Sequence, residues 1–185
     1  MSFGLALSVI GILLEATTIG MSSCAETLVS QAFGAGDHRL CKVYLNRQYF
    51  INTVLFALLM IPAFFMHDFF LSTLNQREIV SDLAFQAFWI ISIGIYFELQ
   101  AQTTCFFSIG MGESSIILIS FGTATAIFLP MVLVSTIVYD GGFLAVCICT
   151  AIHLFLRFVV ATICVNYMKA FKEANKMSFF CRETF

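Results

Sequence analysis

The sequence predicts an all-α fold, a polytopic membrane bundle of about five transmembrane helices, and three observations carry that reading. The 185 residues are 60% hydrophobic and only 11% charged, against roughly 25% charged in soluble domains. The apolar residues are gathered into five runs, each near the ~20 residues that a helix needs to cross a ~30 Å hydrocarbon layer. The runs are continuous rather than alternating, so backbone satisfaction in lipid selects helices over a closed barrel.

The spans fall at about 3–27, 48–66, 83–110, 115–138 and 142–168. The first carries Glu15 near its middle, beside Thr17 and Thr18. The second contains Pro62 and the fourth Pro130, each of which removes a backbone hydrogen bond and invites a bend. The third carries Glu98, flanked by Gln100 and Gln102. The fifth carries His153 and Arg157, four apart and so on one helical face. Polar connections are expected at 28–47, 67–82, 111–114 and 139–141, with Ser81 or Asp82 capping the third helix. Residues 1–168 thus read as one transmembrane bundle and 169–185 as a cytoplasmic tail or linker.

Charge sets the expected orientation. Arg39, Lys42 and Arg47 in the first connection join Lys169, Lys172, Lys176 and Arg182 of the tail on one side, while the other side has only Arg77. Lysine and arginine favour the cytoplasm, which places the first connection and the tail inside and the N-terminus outside. Met1 runs into apolar sequence with no basic leader, so an upstream span is expected before it.

The acidic residues direct attention to function. A carboxylate at the centre of a membrane helix costs about 2.5–3.5 kcal/mol on insertion scales, and such residues usually line a path or face a partner. Glu15, Glu98, Gln102, His153 and Arg157 are therefore the candidate substrate or cation path, and Arg157 is expected to pair with Glu15 or Glu98. Each carboxylate also has a purely structural reading, as a group that ties helices together. The seven cysteines show no disulfide framework and read as small core hydrophobes. No nucleophile motif, His/Asp cluster or metal-ligand spacing supports an enzyme, and a net charge of −2 offers nothing to nucleic acid.

One stretch is more specific. The first span ends in Cys24-Ala25-Glu26-Thr27-Leu28-Val29-Ser30-Gln31-Ala32-Phe33-Gly34-Ala35-Gly36, followed by a basic stretch to Arg47. Gly34 and Gly36 permit positive φ and tight packing, but no strand or third glycine completes a dinucleotide fingerprint. The wording resembles the multidrug and toxic compound extrusion (MATE) family of eukaryotic type, through Glu26, Thr27, Leu28, Gln31, Ala32, Phe33, Gly34 and Ala35, with Arg47 sixteen positions after Gln31. The stretch around Cys105–Gly110 and the proline at position 130 depart from the family wording.

The resemblance implies that the spans correspond to family helices two to six, with Glu26, Gln31, Gly34 and Arg47 as an inner-gate motif. It implies a secondary active transporter, a cation-coupled antiporter exporting organic compounds. Its partners would be the lipid bilayer and a small organic substrate, and its coupling ion H+ or Na+ with no other cofactor. Helix one and a second lobe, or a second copy of the chain, would be needed for transport. The alternative is a truncated, non-transporting membrane subunit or regulatory protein. Plasma and vacuolar membranes are equally open.

Overall fold

A computed structural model describes residues 2–65, 78–137 and 142–168, and within these the side chains of 2–15, 17, 62–65 and 78–85 lie outside the description. The described residues form five helices: α1 (Ser2–Gly34), α2 (His38–Phe65), α3 (Glu78–Gly110), α4 (Ser115–Ile137) and α5 (Gly142–Tyr167). The all-α bundle expected from the apolar runs is what the chain forms. By length and composition alone, α4 and α5 are apolar enough to cross a membrane among the described residues. They turn large side chains outward, with Leu118, Leu129, Leu133, Ile137 and Phe143 among the most exposed.

The first polar connection of the sequence reading proves too long, the one at 111–114 is as expected, and 67–77 of the second lie outside the described residues. Positions 28–47 are not a loop: α1 runs on to Gly34 and α2 begins at His38. Hydropathy marks where a helix leaves apolar surroundings, whereas its end is set by capping. Here Asp37 N–H donates to Ala32 O and Gly36 N–H to Phe33 O, both at 3.0 Å, around Gly36 at φ 79°. That is a Schellman ending, whose left-handed position favours glycine. Asp37 then caps α2, its Oδ1 accepting from Leu40 N–H at 3.0 Å. The same ending closes α3, where Glu113 N–H donates to Ser108 O and Gly112 N–H to Ile109 O around Gly112 at φ 82°. α3 starts at Glu78, so neither Ser81 nor Asp82 caps it. The tail from 169 and the 139–141 connection lie outside the described residues.

α3 is the hub. It packs against α1, α2 and α5, while α4 rests mainly on α5. From Glu98 to Ser108 nearly every residue of α3 is buried, with Leu99, Ala101, Thr104 and Ser108 fully so. Small residues recur every seventh position at Ala87, Gly94, Ala101 and Ser108, all buried, and small residues let membrane helices approach closely. Two glycines mark the nearest approaches. A Cβ on Gly94 would stand 3.0 Å from Ala151 Cα of α5, and one on Gly110 would stand 2.9 Å from the Glu26 carbonyl of α1. At the end bearing the two Schellman turns, an apolar cluster of Val29, Ala32, Cys41, Phe107, Ile116 and Val165 draws all five helices together.

Candidate functional site

α3 carries polar groups toward two different neighbours. Toward α5 it presents Glu98 and, one turn on, Gln102. Arg157 of α5 forms an ion pair with Glu98 Oε1, and Gln102 Nε2 donates to the same oxygen at 3.3 Å. The side chains of Arg157 and Glu98 are only 14% and 9% exposed, so the pair is not a solvated surface contact. Counting about twelve residues back from Gly110 at 1.5 Å each puts Glu98 roughly 18 Å along the helix, near the middle of a ~30 Å layer.

α4 flanks the ion pair from a third side. Arg157 lies over the Phe121 ring, 5.2 Å from its centroid, and the His153 ring lies 4.9 Å from that of Phe128. Thr125 falls between Phe121 and Phe128 on the same helical face. Cys105 of α3 meets Ser120 of α4 at 3.8 Å. Five polar atoms on these residues are buried without a hydrogen-bond partner: Glu98 Oε2, Gln102 Oε1, Thr125 Oγ1, His153 Nδ1 and Arg157 Nε. Buried polar atoms are usually satisfied, so this concentration of unused donors and acceptors sets the surroundings of the ion pair apart from the rest of the described bundle.

Toward α1 and α2, α3 presents a neutral network. Gln48 Nε2 donates to Asn52 Oδ1 at 3.1 Å, Asn52 Nδ2 donates to Thr103 Oγ1 at 2.6 Å, and Ser22 Oγ lies 3.5 Å from Thr103 Oγ1. Tyr49 OH and Thr104 Oγ1 share a hydrogen bond of 2.6 Å. Asn52, Ser22 and Thr104 are fully buried. Such hydrogen bonds join membrane helices at about 0.6 kcal/mol each on average, which suits a fixed structural seam.

The structure therefore gathers four of the expected path residues, Glu98, Gln102, His153 and Arg157, and pairs Arg157 with Glu98. The side chain of Glu15 lies outside the described residues. The residues of the motif do not converge. Gln31, Gly34 and Arg47 are exposed and Glu26 is half-buried, and among the described residues no ion pair joins Glu26 to Arg47. Gly34 has neither positive φ nor a close neighbour; the left-handed position falls to Gly36 and the close contact to Gly110. The buried part of the motif is apolar, Val29 and Ala32, with Phe33 packed beside them.

Sequence reasoning missed Asn52, Thr103, Thr104 and Tyr49. A polar residue every few positions within a long apolar run was the available signal, as at Gln48 and Asn52, one turn apart. It also missed Phe121 and Thr125, which no local pattern distinguishes from lipid-facing residues.

A protein-family model described as MatE matches residues 2–134. Among curated proteins of Arabidopsis thaliana, Protein DETOXIFICATION 26 is 29% identical over 110 residues, covering 59% of this chain and 22% of that protein. Protein DETOXIFICATION 25 is 33% identical over 73 residues, 39% of this chain and 14% of that protein. Protein DETOXIFICATION 23 is 32% identical over 79 residues, 43% of this chain and 16% of that protein. The chain thus matches about a fifth or less of the length of each relative. No solved structure matches it.

Proposed function

This chain belongs to the MatE family, and on that premise we propose that its helices form part of one lobe of a secondary transporter, an antiporter that couples cation entry to export of organic compounds. Family membership makes it a membrane protein. The observation that carries the mechanistic reading is the buried Glu98–Arg157 pair, surrounded by polar atoms without partners. A cation that reaches a buried carboxylate held by a guanidinium competes with the guanidinium for it. Either Arg157 keeps Glu98, or the cation takes Glu98 and Arg157 is left over the Phe121 ring, which it already faces. A ligand shifts a two-state lobe only by binding one state better than the other, and this exchange supplies that difference. Gln102 holds Glu98 in place through either state. The α3–α5 contact at Gly94 brings the two helices close enough for the pair to form.

The test is flux. The chain is reconstituted in vesicles, alone and co-expressed with the second lobe of a MatE relative, and export of a fluorescent organic cation is followed under an imposed proton or sodium gradient. Gradient-driven export in the assembled form, lost in Glu98→Gln while the variant still folds, is the expected result. Flux that ignores both gradients, or that survives Glu98→Gln unchanged, would overturn the reading.

A further inference from the structure

Arg47, which the ion-pair site does not use, stands on the outer side of α2 at the edge of the membrane. Tyr49 OH of α2 shares a hydrogen bond of 2.6 Å with Thr104 of α3. Thr104 lies six residues before Gly110, the end of α3, which is about 9 Å along the axis. Arg47 is two residues nearer that end than Tyr49, so about 3 Å lower. Glu98 lies near the middle of the layer, about 18 Å from Gly110. Arg47 thus comes about 12 Å from the middle, within one turn of the hydrocarbon boundary at ~15 Å.

The outward face of α2 changes chemistry at that level. Helical spacing places Arg39, Arg47, Phe50, Val54, Leu58 and Ile61 on one side, away from buried Cys41, Leu45, Gln48 and Asn52. All six are exposed. Phe50 to Ile61 covers about 16 Å, the depth of one acyl leaflet at ~15 Å. The basic end also carries Lys42, and α2 has no acidic residue at any position. Apart from Arg157, these three cations are the only lysines and arginines among the described residues. The outer face of α4 gives the contrast. Leu118, Ile127, Leu129 and Leu133 are exposed there too, but α4 has no cation and follows Glu113.

An apolar face of leaflet depth that ends in arginine is complementary to a phospholipid. Acyl chains cover Phe50 to Ile61, and the Arg47 guanidinium meets the phosphodiester with two parallel N–H donors. Among the described residues no carboxylate pairs with Arg47, so a headgroup meets its charge. The rest of the headgroup decides the class. It projects past the phosphate, toward the turns that carry Lys42 and Arg39. A choline ammonium is repelled there, whereas a headgroup without a cation is not.

We propose that the outer face of α2 is a binding site for an anionic phospholipid, with its phosphate on Arg47, its chains against Phe50, Val54, Leu58 and Ile61, and its uncompensated charge toward Lys42 and Arg39. The site needs the chain to lie in a bilayer and takes nothing from the transport reading.

Trp89 is the sole tryptophan, so Trp89→Phe clears the background for Val54→Trp or Ile127→Trp, at positions 49% and 47% exposed on α2 and α4. The full 185-residue chain is placed in phosphatidylcholine nanodiscs. Quenching is followed as brominated phosphatidylglycerol or brominated phosphatidylcholine replaces the host lipid. At position 54 exchange should favour phosphatidylglycerol about fivefold or more, since each basic side chain at a membrane surface contributes about fivefold. At position 127 the two lipids should quench alike. Arg39→Gln/Lys42→Gln/Arg47→Gln should bring position 54 to the same parity. Parity at position 54 in the parent, an equal preference at 127, or a preference that survives loss of all three cations would overturn the proposal. Should these variants fail to fold, native mass spectrometry of the unmodified chain released from equimolar nanodiscs decides. Excess retained phosphatidylglycerol supports the site, and equal retention of the two lipids overturns it.

Discussion

Replacing Arg157 by methionine leaves Glu98 buried without its counter-charge, and the size of the penalty follows from where the pair sits. Both side chains are well under a fifth exposed, so solvent screening is weak. Removing one partner from a buried ion pair typically costs about 3–5 kcal/mol. Loss of the Arg157–Phe121 contact adds about 0.5–2 kcal/mol, and methionine recovers part of it by filling the same space with apolar contact. Arg157→Met alone is therefore expected to destabilise the bundle by about 3–5 kcal/mol. Adding Glu98→Gln removes the stranded charge while Gln102 can still bond an amide oxygen at position 98. The double variant is then expected to recover most of the loss, to within about 1–2 kcal/mol of the parent, because replacing both partners of such a pair is often close to neutral. The assay is unfolding in mixed micelles, followed by circular dichroism as denaturing detergent is raised, for the parent, both single variants and the double. A coupling energy near zero, with the two losses simply adding, would refute the reasoning. It would mean that the pair is screened by water or that the two groups do not depend on each other.

Three further outcomes follow from the packing. Gly110→Ala puts a Cβ 2.9 Å from the Glu26 carbonyl and about as near to Val29; the overpacking should cost about 1–3 kcal/mol in the same assay, whereas Gly34→Ala, with nothing within 4 Å, should change little. Asn52→Leu breaks the bonds to Gln48 and Thr103 and should cost about 0.6–1.7 kcal/mol, measured the same way. The Cys41 thiol, outside the apolar part of α2 and buried, is pushed above its ordinary value of 9.0 by that burial, with the Asp37 charge adding to the rise. Between 9.0 and the raised value the folded chain keeps a proton that the unfolded chain loses, so folding weakens as pH climbs through that window. Alkylation of Cys41, read by peptide mass spectrometry, should accordingly be slow near neutral pH and fast in denaturant; rapid labelling of the folded chain would contradict its burial.

Helix number and type were legible because hydropathy is a property of the run, and the spans at 115–138 and 142–168 end within a residue of α4 and α5. The end of α3 at Gly110 was legible too, but the junction of α1 and α2 was not, because it depends on particular caps. The turn at Gly36 and Asp37 occupies three residues, and the basic stretch beyond it is already α2. Among site residues, Glu98 and Arg157 announced themselves by the cost of charge in an apolar run, and spacing put His153 on the same face as Arg157. Which carboxylate Arg157 would choose was open, since pairing across 59 positions rests on how α3 and α5 cross. The same limit hid Asn52 and Thr103, 51 positions apart. The motif shows the reverse case. Its wording identified the family, but most of its polar residues face outward while Val29 and Ala32 fill the shared core.

Accessibility along α3 in a lipid bilayer tests the account most directly. Nitroxides placed singly from position 93 to position 101 report contact with lipid-dissolved oxygen and with a water-soluble nickel complex. The account predicts strong oxygen contact at Ile93, which is 58% exposed, and almost none at Glu98, Leu99 and Ala101, which are 7%, 0% and 0% exposed. Oxygen contact at position 98 as strong as at 93 would place the carboxylate against lipid and contradict the buried ion pair.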